Sequence, residues 1–313
     1  MLDFHDKIIY WKVVGITLFF GAMGWYNADL LFKIQYPLLA ILVLLLGLPH
    51  GATDFLLYRR MRGPAVQPLQ VIQFFMFYLL TVFGYLVCWV YLPLFSLILF
   101  LAVSVYHFGQ SNGQYLQLPR WKSFILYVSW GSFLLSGALL WHWEESKVIV
   151  EQLLGLTLEW SASYCWKIPW FLLLINVVLL LVFIGRTESK KLWRELTTLL
   201  VLSFMLYSTP LLVGFTLYFT LWHSLGSLLH QVRFIRSQWP RFTYAQYYRQ
   251  AAPYTLLAVL GLFCLVLCQS YFFPNLSVIS LFFVMIACVT LPHIFLIEAS
   301  YMQGNIGSND EDV

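Results

Sequence analysis

The side chains in this chain best suited to chemistry are histidines, and they stand where histidines are rare. Of seven, five lie inside long apolar runs: His50, His107, His223, His230 and His293. An ionisable side chain within a membrane span is a functional candidate by default. Neutral imidazole is the commonest metal ligand, and helix bundles build sites from residues on facing helices. One such histidine could simply hydrogen-bond a neighbouring helix. Histidines at similar depth on four helices point instead to a shared metal site. Imidazole suits iron, zinc, copper or nickel, and spacing does not choose among them. His5 precedes the first apolar run and His142 ends another on the opposite side, so neither joins the set.

The neighbours of these histidines carry further information. Asp54 follows His50 by one helical turn, and Glu298 follows His293 by five residues. A carboxylate that accepts the second ring N–H of a ligating histidine fixes its tautomer and raises its basicity. Asp54 and Glu298 are the candidates for that role. The alternative for Asp54 is a counter-charge to Arg59 or Arg60, and Glu298 sits near the membrane surface. His223 and His230 share a helix face but stand two turns, ~10.5 Å, apart. One of the two is expected to ligate, and the other to support it or to be a polar core residue. Pro49 breaks the backbone hydrogen bonding beside His50, Gly51 permits close approach of another group, and Thr53 has no assigned role.

These residues need membrane helices to position them. The chain has 313 residues, 61% hydrophobic and 10% charged, whereas soluble domains carry about a quarter charged residues. The runs are continuous, without the two-residue alternation of a membrane β-barrel. The expected fold is all-α, a polytopic helix bundle. About ten apolar stretches reach or approach the ~20 residues of a bilayer span: 8–26, 36–58, 70–92, 94–110, 121–142, 168–185, 192–212, 214–235, 252–273 and 276–300. Turns are expected at Pro93, at Pro210 to Gly214 and at Pro274-Asn275. Residues 1–302 read as one membrane domain and 303–313 as a disordered acidic tail. The first run carries Lys12 and aromatics without a small-residue cleavage site, and reads as a retained span. The five cysteines show no C-x-x-C spacing, so neither a disulfide framework nor a thiolate metal site is indicated.

Charge placement reports topology. Arg59, Arg60 and Arg62 follow the second span, and Arg120 and Lys122 the fourth. Arg186, Lys190, Lys191 and Arg194 follow the sixth, and Arg233, Arg236, Arg241 and Arg249 the eighth. With ten spans all these loops share a side. The 143–167 loop, with Glu144, Glu145, Glu151 and Glu159, falls on the other. The positive-inside rule then expects both termini in the cytoplasm, with the deep histidines toward the cytoplasmic half of the cell membrane. Membrane lipid is the expected surroundings, and no nucleic-acid partner is expected.

Four motifs in order, "GLPHGATD" (47–54), "VYHFGQSN" (105–112), "LWHSLGSLLHQ" (221–231) and "LPHIFLIE" (291–298), give the chain a family likeness. It resembles the Brp/Blh family of membrane β-carotene 15,15'-dioxygenases across almost its whole length. The resemblance implies a non-haem Fe(II) enzyme that cleaves β-carotene centrally with O₂ into two molecules of retinal. It implicates His50, His107, His223 and His293 as metal ligands and catalytic residues, with His230 as the alternative fourth ligand. Two positions depart from the family pattern: Ser227 stands where a second histidine is frequent, and Asn112 where an acidic residue is. The substrate supplies all the electrons, in keeping with the lack of a Gly-rich dinucleotide fingerprint. Neutral ligands are required, so activity is expected to fall at acid pH. Tyr106, Phe108, Tyr218, Phe219 and Trp222 are candidates to line an apolar substrate tunnel, although membrane helices are rich in aromatics for other reasons. The family analogy offers a microbial rhodopsin as the consumer of retinal. The competing readings are a haem protein with axial histidines, and a metal or proton transporter. The latter is weakened by the near absence of acidic residues in the spans.

Overall fold

The computed structural model describes residues 7–63, 66–159, 165–185 and 188–307, with side chains as far as residue 299. His5 and the last six residues of the acidic tail lie outside this range. Every regular element among the described residues is helical. Lys7–Leu42 is α1, Leu48–Gly51 α2, Asp54–Arg62 α3, Pro68–Tyr91 α4, Pro93–Gly113 α5, Arg120–Leu140 α6 and Trp143–Leu154 α7. Lys167–Phe183 is α8, Ser189–Ser208 α9, Leu211–Leu217 α10, Leu225–Gln238 α11, Tyr244–Leu267 α12, Gln269–Phe272 α13 and Val278–Gly307 α14. π-helical turns occupy Val43–Gly47 and Tyr218–Ser224.

Seven helical stretches among the described residues are long and apolar enough to cross a membrane, and Lys167–Phe183 is a shorter apolar helix. They belong to a membrane protein. Large apolar side chains stand exposed along them, such as Leu256, Leu257, Leu260, Phe263 and Leu267 on α12. The first stretch, Lys7–Arg62, has 56 residues. At 1.5 Å per residue it is far longer than a ~30 Å hydrocarbon core. It is broken where the sequence expects the gap between its first two spans. Asn27 leaves the helical region (φ −152°, ψ 78°), and its Oδ1 accepts the Leu30 N–H at 3.1 Å, the geometry of an N-cap. The expected breaks at Pro93, Pro210 and Pro274-Asn275 also separate helices, α4 from α5, α9 from α10 and α13 from α14.

The chain forms two compact units, each discontinuous in sequence. The first comprises 1–47, 101–151 and 156–230, and the second 48–100, 152–155 and 231–313. In the first, α1 packs on α9 and α10, α6 on α8, and the two π-helical turns on each other. Small residues let helices α5 and α6 touch: a Cβ on Gly109 would lie 1.8 Å from the Tyr127 carbonyl oxygen, and one on Gly131 would lie 1.8 Å from that of Val105. Such backbone approach is a principal means of helix association in lipid, where hydrophobicity supplies no drive. In the second unit α14 packs on α2, α3, α4 and α12, and α2 also packs on α12.

Candidate functional site

The second unit holds a buried pair, His50 and His293, with ring centroids 5.3 Å apart and planes nearly perpendicular at 86°. His50 sits on α2, the single turn left between the π-helical turn at Val43–Gly47 and the break at Ala52-Thr53. His293 follows Pro292 in the interior of α14. Gly51 faces it: a Cβ there would lie 4.0 Å from His293 Nδ1. Asp54, at the start of α3, accepts from His293 Nδ1 through Oδ1 at 2.7 Å. Its Oδ2 accepts from the Tyr78 hydroxyl of α4 at 3.1 Å. Asp54, which follows His50 by one turn in the sequence, thus bonds to the histidine of another helix. In a neutral ring whose Nδ1–H is donated to Asp54, Nε2 carries the lone pair, the form that a metal requires. Tyr78 was not legible as part of this array, because an aromatic residue in an apolar span reads equally as lipid-facing or core.

The first unit holds a second buried pair. His107 of α5 and His223 of the π-helical turn have ring centroids 4.9 Å apart at 73°. The π geometry is recorded by the Leu225 N–H bonding to the Thr220 carbonyl, five residues back, and by Ser224 Oγ donating to the Phe219 carbonyl at 2.7 Å. Rare π turns concentrate at functional sites. Here the turn stacks Phe219 on His223 (5.8 Å, 18°), with Phe215 stacked beyond it. Gly47 leaves room for the Phe219 ring, since a Cβ would lie 3.0 Å from it. Phe108 packs edge-on against both His223 and Tyr218. The buried Tyr218 hydroxyl has no hydrogen-bond partner among the described residues.

Trp222 turns toward α1, donating Nε1–H to Thr17 Oγ1 at 2.9 Å and packing edge-on against Tyr10. Tyr106 packs on Phe124 and Tyr127 of α6. Of the two candidates for fourth ligand, His293 is buried and His230 exposed. Glu298 is half-buried, as is Ser227, while Asn112 is buried. His142 Nε2 lies 2.7 Å from the Leu206 carbonyl of α9. Within each unit the described residues contain no group of three or more His, Cys, Asp or Glu drawn together as a ligand set. The donor chemistry of each pair nevertheless fits a borderline metal such as Fe(II): buried imidazoles, one of them oriented by a carboxylate.

The family model described as beta-carotene 15,15'-dioxygenase matches residues 41–301, a segment that includes all four of these histidines. The chain belongs to the β-carotene 15,15'-dioxygenase family. It is also similar to a protein named beta-carotene 15,15'-dioxygenase from uncultured marine bacterium 66A03. The two are 24% identical over 272 residues, covering 82% of this chain and 90% of that relative. No solved structure matches this member of the family.

Proposed function

We propose that this protein is a β-carotene 15,15'-dioxygenase, cleaving the central double bond of β-carotene with O₂ to give two molecules of retinal. The observation that carries the reading is the family match over residues 41–301, a segment whose buried histidines are paired as His50–His293 and His107–His223. The proposed ligand set is His50, His107, His223 and His293, holding Fe(II). Burial of His293 and its bond to Asp54 support it over the exposed His230 as the fourth ligand. Bound there, iron would supply the activation of O₂ that an unassisted alkene lacks. The chain's own part is to orient the imidazoles, through Asp54 and Tyr78 for His293. It would also hold the polyene against an apolar wall, to which Phe108, Tyr218 and Phe219 are suited. Both atoms of O₂ enter the products and the double bond supplies the electrons, so no reductant is consumed.

The finer topology belongs to the same proposal: ten spans, both termini cytoplasmic, and the iron toward the cytoplasmic half of the cell membrane. Its support is the placement of Lys and Arg in alternate loops. A microbial rhodopsin is the proposed user of the retinal. The deciding test is expression in a carotene-producing host with chromatographic assay for retinal. Retinal should accumulate and β-carotene should fall, and His50→Ala should abolish both changes. Unaltered carotene with iron-replete protein would refute the assignment. Full activity in His293→Ala, with loss in His230→Ala, would transfer the fourth ligand to His230.

A further inference from the structure

The α2–α3 junction contains a second buried polar array, separate from Asp54 and Tyr78. The helical ladder is intact on either side of it: Ala52 N–H bonds to the Leu48 carbonyl and Leu57 N–H to that of Thr53, each at 2.9 Å. Between them, at the Ala52-Thr53 turn, the carbonyls of Pro49 and His50 are met by side chains. Gln231 Nε2 donates to the His50 carbonyl at 3.1 Å, and Thr53 Oγ1 lies 3.0 Å from the same oxygen. The Tyr247 hydroxyl lies 3.4 Å from the Pro49 carbonyl. The three side chains also bind one another: Gln231 Oε1 accepts from Thr53 Oγ1 at 2.7 Å and from the Tyr247 hydroxyl at 2.8 Å. Thr53, Gln231 and Tyr247 are all almost fully buried.

A broken helix in a membrane needs its freed carbonyls satisfied by neighbouring helices. A water-filled cavity would suffice for that purpose. What stands here is more restrictive, because the amide of Gln231 is engaged at both ends, which settles its orientation. It is then used on the backbone of the one residue in the turn that bears an imidazole. We infer that Thr53, Gln231 and Tyr247 form a positioning clamp that holds the backbone of His50, and through it the direction of the imidazole toward the metal. The clamp acts on a ligand without touching metal or substrate, so its members are positioning residues. It explains why a threonine is useful at position 53, and why a glutamine and a tyrosine are buried in helices α11 and α12. The inference rests on His50 being a ligand, as proposed above.

The test is Fe(II) affinity of the purified full-length protein by chelator competition, with thermal unfolding of the iron-free protein measured alongside. Gln231→Leu and Tyr247→Phe should each weaken Fe(II) binding by about 10- to 100-fold, the range for residues that support metal ligands. Thr53→Val should do the same, and Thr53→Ser, which keeps the hydroxyl, should restore tight binding. Variants that melt earlier yet bind Fe(II) as tightly as the parent would show a merely structural array and overturn the clamp. Should Gln231→Leu fail to fold, the Thr53 pair decides, and equal affinity in the Val and Ser forms would overturn it. His50→Ala separates the two claims. Undiminished affinity there refutes the ligand assignment. Lost affinity there, with parent-like clamp variants, refutes the clamp alone.

Discussion

Asp54 links three helices: it begins α3, pairs with His293 of α14 and accepts from Tyr78 of α4. A buried carboxylate is tolerable in a membrane only when paired and hydrogen-bonded, and here each oxygen has its own donor. Asp54→Asn should therefore weaken Fe(II) binding by about 10- to 100-fold, read by metal titration of the purified protein. Tyr78→Phe leaves the His293 bond in place and should have the smaller effect on the same titration. Tyr218 gives a prediction of opposite sign. Its hydroxyl is buried without a partner among the described residues, and a buried unsatisfied hydroxyl costs about 1–3 kcal/mol. Tyr218→Phe should thus melt at the same temperature as the parent or higher. A clear fall in melting temperature would show that the hydroxyl is bonded in the folded protein.

Among the elements, the α5–α6 contact is the one most sensitive to volume. Gly109 and Gly131 each meet a carbonyl oxygen of the other helix at a distance no Cβ can occupy. Gly131→Ala should force the helices apart. A loss of about 1–3 kcal/mol, the usual cost of overpacking, is expected as an earlier thermal transition in detergent, with reduced retinal formation because His107 rides on α5. An unchanged melting temperature would mean that the two backbones do not approach so closely. The π-helical turn at Tyr218–Ser224 makes a comparable demand on register. One residue corresponds to about 100° of α-helical rotation, so deletion of Leu221 should turn His223 away from Phe108 and His107, with loss of retinal formation.

For the molecule as a whole, topology is the property to test. A reporter fused to the C-terminus should be active only when it reports the cytoplasm. A cysteine introduced at Glu159 should be modified by a membrane-impermeant reagent from outside the cell. Labelling from the cytoplasmic side alone would reverse the assignment.

Much of this was open to sequence reasoning. The membrane class follows from long apolar runs, because a bilayer dictates both length and composition. The breaks at Pro93, Pro210 and Pro274-Asn275 follow from local stereochemistry. The candidacy of the histidines follows from their rarity in apolar spans. The family followed from four short motifs, and the match over residues 41–301 bears it out. The tertiary structure alone decided which groups meet. His293 and Asp54 are 239 residues apart, and Thr53 and Gln231 are 178 apart. No periodicity relates such positions, because side-chain partners across helices depend on rotation and depth of packing. The sequence placed a carboxylate one turn after His50, whereas packing turned it to His293. Likewise Thr53, mute in the sequence, acquired a partner only when α2, α11 and α12 came together.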